Sequence, residues 1–288
     1  MIHVREFTDP ACPFAFSAEP AIWRLRWLYG DGLEWETRMV VLSESPEDYL
    51  AKGFTPEMQS AGLKDLQARY GMPIDWRLRA RMTATVHACR AVIATRLNQP
   101  ESEWRILRAL RIRHMAGEMI DETATIEAAA ARDAGIEPAA LYRWLDDPSV
   151  EQALRDDMRA ARRPSSASLA QVHKLASTPE GGARYTCPSF ELTGPDGRRA
   201  DIPGFQPVEV YEAAIANLDP GLERRAAPES VEELLHWAEV PLATVEVAAV
   251  MGIEPADARA ELARVAAETP VGPDGYWSLP AAAGRVAA

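Results

Sequence analysis

The sequence is poor in cysteine and equally poor in lysine. Cys12, Cys89 and Cys187 are the only thiols in 288 residues. They are too few for a disulfide scaffold, so they are ordinary buried thiols or some of them are chemical. Lys52, Lys64 and Lys174 are the only lysines, and the remaining basic residues are arginine. The chain also lacks positive charge overall: its net charge is −12 at pH 7. That balance argues against a general nucleic-acid binder and against attraction to an anionic membrane. No apolar run reaches the roughly 18 residues that a membrane span needs. The start, MIHVREFTDPACPFAF, has no basic opening, apolar middle or small-residue cleavage site, and Arg5, Glu6 and Asp9 interrupt it. The expected location is therefore the cytoplasm. Metal-ligand spacings are also missing: there is no Cys-x-x-Cys, no His-Glu-x-x-His and no carboxylate cluster. Neither a metal nor a cofactor is expected. What is present is 47% hydrophobic and 26% charged, the profile of a globular protein.

Hydrophobic patterning divides the chain. Residues 2–8, IHVREFT, alternate as a strand does, and Asp9-Pro10 breaks it. Pro13 suits the first turn of a helix, whose apolar stripe of Ile22, Leu25, Trp27 and Leu28 runs to Gly30-Asp31-Gly32. Residues 33–42 read as a second strand, parallel to the first because a crossover helix joins them. From Ser45 to about Pro164 the pattern is helical, with helices near 56–70, 79–98, 101–116, 123–134, 138–146 and 149–163. Strand signals return at 184–193. The turn Gly194-Pro195-Asp196-Gly197 leads to a second arm at 198–202, and a helix follows at 207–217. Beyond Asp219-Pro220-Gly221, helices at 229–239, 242–251 and 255–268 and a hairpin over PVGPDGYWSL resemble a winged-helix module.

The informative stretch is Asp9-Pro10-Ala11-Cys12-Pro13-Phe14-Ala15-Phe16. It places Cys12 at a helix N-terminus, where free N–H groups and the helix dipole favour an anion. Such a position lowers a thiol pKa from about 8.5 and makes a nucleophile. Cys89 lies on an expected helix beside Ala84, Ala88, Ala91 and Ala94, and is read as core packing.

On the string Thr8-Asp9-Pro10-Ala11-Cys12-Pro13, the sequence resembles the DsbA-like branch of the thioredoxin-fold superfamily, whose members carry Cys-Pro-Trp-Cys or a close variant there. The resemblance covers roughly residues 1–218. It implies an α/β chain with a thioredoxin-fold core at 1–44 and 184–218, a helical insertion at 45–183, and an added C-terminal module at 228–288. It also implies a cis proline facing the motif cysteine, and Thr186-Cys187-Pro188-Ser189-Phe190 stands in that place, which assigns the role to Pro188. Two departures matter. Ala15 stands where the second motif cysteine would be, so a dithiol cycle cannot close within the motif. Cys187 precedes the proline, where the family packs a residue against the motif cysteine. Cys187 is either an inert buried thiol or the spatial substitute for the missing partner.

The implied activity is thiol–disulfide exchange, by a cytoplasmic oxidoreductase or isomerase. Cys12 would attack, Cys187 would resolve, and Pro13, Phe14 and Pro188 would shape the substrate site. The substrate would be a protein or a low-molecular-weight thiol or disulfide. Two other classes stay open: a glutathione-dependent isomerase or transferase, and an adaptor that kept the fold and lost redox function. Residues 77–113 carry nine arginines and a net charge of +7. They read as a solvated face balanced by acidic neighbours, or as a surface for an anionic thiol cofactor or acidic segment. The segment 228–288 is net −7, the wrong sign for phosphate contacts. It is read as a docking or dimerisation module, with a homodimer as one assembly.

Overall fold

The structure, a computed structural model, describes residues 1–178 and 181–280. Its central sheet is built from the two ends of the expected core. β1 (Ile2–Thr8) runs parallel to β2 (Leu33–Met39), and α1 (Pro13–Ser17) and α2 (Glu19–Tyr29) make the crossover. β5 (Ser189–Thr193) pairs antiparallel with β1, and β6 (Arg199–Ile202) pairs antiparallel with β5. The order across the sheet is β2-β1-β5-β6. Ile2, Val4, Phe190 and Leu192 turn into one core shared with Trp27 of α2 and with Tyr211 and Ile215 of α11 (Val208–Leu218).

The expected helix from Pro13 to Tyr29 divides at Ala18. Pro20 is the cause: with no N–H to donate, it suits only the first turn of a new helix. The expected strand at 33–42 ends at Met39 because Val41 adopts φ 57°, which extended pairing does not allow.

Between β2 and β5 the chain is mainly helical: α3 (Glu47–Ala51), α4 (Pro56–Tyr70), α5 (Val86–Asn98), α6 (Glu103–Met115), α7 (Thr123–Ala128), α8 (Pro138–Leu145), α9 (Pro148–Ala161) and α10 (Ser166–Leu169). The helix expected at 79–98 begins only at Val86. Arg79 instead turns inward and bonds the ring and carbonyl of buried His114, which holds residues 79–85 in an irregular path. Residues Ala129–Ala134 continue α7 as a π-turn, closed by left-handed Gly135. The expected strand 184–193 is split. β3 (Ala176–Ser177) and β4 (Ala183–Arg184) form their own two-stranded ladder, and β5 starts after Pro188.

The C-terminal segment folds as α12 (Val231–Ala238), β7 (Leu242–Ala243), α13 (Thr244–Met251), α14 (Pro255–Val265), β8 (Ala267–Val271) and β9 (Asp274–Ser278). Its strands form a sheet of order β7-β9-β8. The helix expected at 255–268 stops at Val265, and Glu268 belongs to β8. The expected end of this segment, including Arg285, lies outside the described residues. Val231, Leu234, Val247, Leu262 and Trp277 join the core of the central sheet rather than forming a separate one. The hairpin tip touches the insertion at Gly272, where any Cβ would strike the Ile74 carbonyl.

Arg77 and Arg81 of the arginine-rich segment are exposed and pair with Asp75 and Asp121, as a solvated face balanced by acids would, but the other arginines of the segment turn inward. Arg108 is buried and donates to both oxygens of Glu246 on α13 at 2.7 Å and to Glu19 on α2 at 3.2 Å. Arg111, one turn on, donates to Glu6 of β1 at 2.9 Å and also bonds Glu19 and Thr8. Arg96 bonds Asp157 and Glu103, Arg105 bonds Glu239, and Arg113 bonds Glu118 and Asp133. The Arg105, Arg108 and Arg111 pairs tie the insertion to the sheet, to α2 and to the C-terminal segment, while those of Arg96 and Arg113 lie within the insertion. Breaking a buried pair strands a charge and costs about 3–5 kcal/mol, whereas an exposed helical pair is worth about 0.3–0.5 kcal/mol. Arg111→Met, which leaves Glu6 and Glu19 without this cation, should therefore destabilise the protein strongly in urea unfolding. Asp65→Ala, which breaks only the exposed pair with Arg69, should change little. Equal effects of the two substitutions would show that the network does not hold the parts together.

Candidate active site

β1 delivers the chain to a tight turn at residues 9–12. Cys12 N–H donates to the Asp9 carbonyl at 3.1 Å, and Ala11 N–H donates to the Asp9 carboxylate at 2.8 Å. Cys12 is the N-cap of α1, in extended backbone conformation, with Pro13 as the first helical residue. Phe16 N–H closes the first helical bond onto the Cys12 carbonyl at 3.0 Å. The thiol thus meets the free N–H end of the helix, as its place in the sequence requires.

The loop before β5 comes from the far end of the chain and closes over it. The Cys187–Pro188 peptide is cis. Cys12 Sγ donates to the Cys187 carbonyl at 3.2 Å. The two cysteines share a buried cluster with Phe7, Ala15, Val40, Ala161 and Tyr185. The structure therefore brings Cys12, Cys187, Pro13 and Pro188 to one place. Phe14 stands at its rim, 44% exposed against 5% for Cys12, with its ring 6.3 Å from that of Phe205. Ala15 is fully buried beside the thiols.

The electrostatics of the two thiols differ. The Cys187 side chain hydrogen-bonds the Cys12 sulfur and holds its pKa below the ordinary thiol range. The backbone N–H groups of Ala15 and Phe14 act the same way, against burial and the charge of Asp9. Burial pushes the Cys187 thiol up, and its hydrogen bond to Cys12 and the Cys12 charge push it further. Cys89, fully buried on α5, is also pushed up by burial, then by Asp9.

Three participants escaped the sequence reading. Asp9 stands in the motif string and breaks the strand, but the sequence assigns its carboxylate no role, and the carboxylate organises the turn. Cys89 packs in the core as expected, but its thiol also donates to Asp9 at 3.5 Å. Tyr49 of α3 lies within electrostatic reach of Asp9, Cys12 and Cys187, and burial raises its phenol pKa. A groove of about 780 Å³ opens alongside, with Leu42, Phe54, Lys52 and Arg184 on its walls. Leu42 also packs against the thiol cluster, so groove and thiols are neighbours. Among the described residues, no three His, Cys, Asp or Glu side chains come together as a metal site.

A four-stranded sheet flanked by helices, with a helix-start cysteine against a cis Cys187–Pro188 peptide, is a thioredoxin-type arrangement. The chain belongs to the DSBA-like thioredoxin domain family, whose model matches residues 3–165. Over 274 residues it is 23% identical to the ClpXP adapter protein SpxH of Halalkalibacterium halodurans, covering 92% of this chain and 82% of that one. A probable DsbA oxidoreductase from Streptomyces coelicolor shares the fold with a TM-score of 0.57 at 19% identity, over 80% of this chain and 93% of that one. The cytosolic disulfide reductase DsbM from Pseudomonas aeruginosa does so with a TM-score of 0.52 at 16% identity, over 75% and 97%. DsbM has also been solved with GSH, with a TM-score of 0.51 at 15% identity over 75% and 98%.

Only the thiolate alkylates readily, so the lowered pKa of Cys12 sets the outcome of a labelling experiment. With limiting iodoacetamide on the folded protein, Cys12 should take the label first, with a pH midpoint below the free-thiol value of about 8.5. Cys89 and Cys187 should react only after unfolding. Earlier labelling of Cys89, or a Cys12 midpoint at or above the free-thiol value, would contradict this ranking.

Proposed function

We propose that the chain is a thiol–disulfide exchange protein of the cytoplasm in which Cys12 is the nucleophile and Cys187 the resolving thiol. The observation that carries this reading is the contact of Cys12 Sγ, at the start of α1, with the Cys187 carbonyl and thiol. The Cys12 thiolate attacks one sulfur of a substrate disulfide. A mixed disulfide forms, and the other substrate sulfur leaves as a thiolate. Cys187 then loses its proton and attacks the Cys12 sulfur. This releases the second substrate thiolate and leaves a Cys12–Cys187 disulfide. Two external thiols reduce that disulfide and leave as a disulfide of their own.

The raised pKa of Cys187 suits this order. Two of its causes are Cys12 itself, through the hydrogen bond and the charge. Once Cys12 is neutral in the mixed disulfide, its charge no longer opposes ionisation of Cys187. The resolving thiol becomes more acidic at the step in which it must attack. Pro13, Phe14 and Pro188 line the approach, and the aromatic rim of Phe14 and Phe205 suits a polypeptide carrying apolar residues. That DsbM has been solved with GSH supports a low-molecular-weight thiol as the external reductant.

A specific observation favours a second reading, a protein adaptor. The alignment with the SpxH adapter covers 92% of this chain, so it extends well into the C-terminal segment. The matched oxidoreductases cover 75% to 80%. Ala15 in place of a second motif thiol is consistent with loss of redox cycling, and the C-terminal segment would then serve docking.

One experiment separates the two. Reduction of a peptide disulfide is followed with GSH as the electron donor, for the native protein, Cys12→Ser and Cys187→Ala. Cys12→Ser should abolish turnover. Cys187→Ala should slow it by about tenfold or more and accumulate the Cys12 mixed disulfide. Native turnover no faster than that of Cys12→Ser would overturn the exchange reading and leave the adaptor.

A further inference from the structure

Six carboxylates are buried among the described residues: Glu6, Asp9, Glu19, Asp75, Asp157 and Glu246. Five of them bond to arginine: Glu6 and Glu19 to Arg111, Asp75 to Arg77, Asp157 to Arg38 and Arg96, and Glu246 to Arg108. Asp9 is fully buried and bonds to none. A buried charge without a counter-ion is expensive unless hydrogen bonds replace its water.

Its donors are neutral and come from three parts of the fold. The Ala11 N–H reaches Oδ1 at 2.8 Å from the Cys12 turn. The Leu42 N–H reaches Oδ2 at 2.9 Å from the segment after β2. The Thr85 hydroxyl reaches Oδ2 at 2.8 Å and the Cys89 thiol at 3.5 Å, from the start of α5 and its first turn. The backbone carries its own cost at this point. Val41, a β-branched residue at φ 57°, turns the chain just before the Leu42 N–H. Thr85 Oγ1 also accepts from Leu42 and Ser43 N–H, so one hydroxyl joins the insertion, the segment after β2 and Asp9.

We propose that Asp9 is the positioning residue of the Cys12 site: it clamps the Cys12 turn to the insertion and sets a buried carboxylate that bonds no cation beside the nucleophile. The inference rests on the reading of Cys12 as the exchanging nucleophile and names the control on it. The other groups facing Cys12 are Cys187, from the loop before β5, and Tyr49, from α3. Arg184 of β4 acts on Cys187, and Cys89 bonds Asp9. None of these places a second anion as near to the Cys12 turn as Asp9 is. Lys52 reaches the Leu42 carbonyl at 3.3 Å and Arg162 the Val40 carbonyl at 3.5 Å, but neither bonds the carboxylate, whose direct partners are dipoles. A thiolate beside it forms less readily but is a stronger nucleophile once formed, because nucleophilicity falls with thiol pKa. Thr85 and Cys89 set the damping, so the insertion reports to the nucleophile through them.

The test reads the pH midpoint of Cys12 alkylation in the full chain, with circular dichroism to show that each variant is folded. Asp9→Asn removes the charge and should move the midpoint down by about one pH unit. Thr85→Val removes a damping dipole, leaves the charge and should move it up by a few tenths of a unit. Thr85→Ser keeps the hydroxyl and should restore the native midpoint. Shifts of opposite sign, with rescue by serine, are not expected of a merely structural residue. An unmoved or raised midpoint in folded Asp9→Asn would overturn the proposal. So would equal midpoints for Thr85→Val and Thr85→Ser, a comparison that decides the matter if Asp9→Asn does not fold. Alkylation reports the Cys12 thiolate whether or not disulfides are exchanged. A failure here is therefore distinct from a failure of the exchange reading.

Discussion

The closure of the Cys187–Pro188 loop over the N-terminus of α1 is the contact on which the site depends. A thiol at a helix start gains from the N–H groups ahead of it and loses from burial. At Cys12 burial is nearly complete, so the helix start has little margin on its own. The Cys187 side chain is the largest favourable influence, and it comes from a residue 175 positions away. The β1–β5 ladder is what makes the meeting reproducible. Its register sets Phe7 opposite Ser189, so the ends of both strands deliver their loops to the same edge of the sheet.

The buried ion pairs serve that geometry from behind. Glu6 belongs to β1, Glu19 begins α2 just after α1, and both hold Arg111. Arg108 then links Glu19 to Glu246 in the C-terminal segment. The thiol-bearing turn, the insertion and the C-terminal segment therefore share one set of charges. Hydrophobic contact alone would hold them together, but it is not directional. The pairs fix which helix face meets which strand, at the cost of desolvating several charges. Beside this network, Asp9 stands out by having no cation.

Local pattern was a good guide where the deciding force is local. Alternation in IHVREFT, the Pro13 helix start and the Gly194–Gly197 turn each produced the element read from them. The parallel pairing of β1 and β2 followed from the crossover between them. The placing of Cys187 beside Cys12 came only through family resemblance, since nothing in either segment points to the other. What stayed hidden was decided at long range. The partners of Arg108 and Arg111 lie 89 to 138 residues away, so the arginine run looked like a solvated surface. Arg79 looked helical but is drawn out of line by His114. Asp9 looked like punctuation because its donors Leu42, Thr85 and Cys89 are scattered along the chain. Cys89 could be placed in the core by its alanine neighbours, but no spacing signals its contact with Asp9.

The central claim is that Cys12 and Cys187 act as one redox couple despite the missing second motif cysteine. The most direct test equilibrates the native protein in glutathione buffers of graded GSH to GSSG ratio, quenches it in acid and weighs the intact chain. The expected oxidised species lacks two hydrogens, maps to a Cys12–Cys187 cross-link and rises as a two-electron couple. A stable glutathione adduct on Cys12 with Cys187 still free, at every ratio that oxidises the protein, would contradict the pairing.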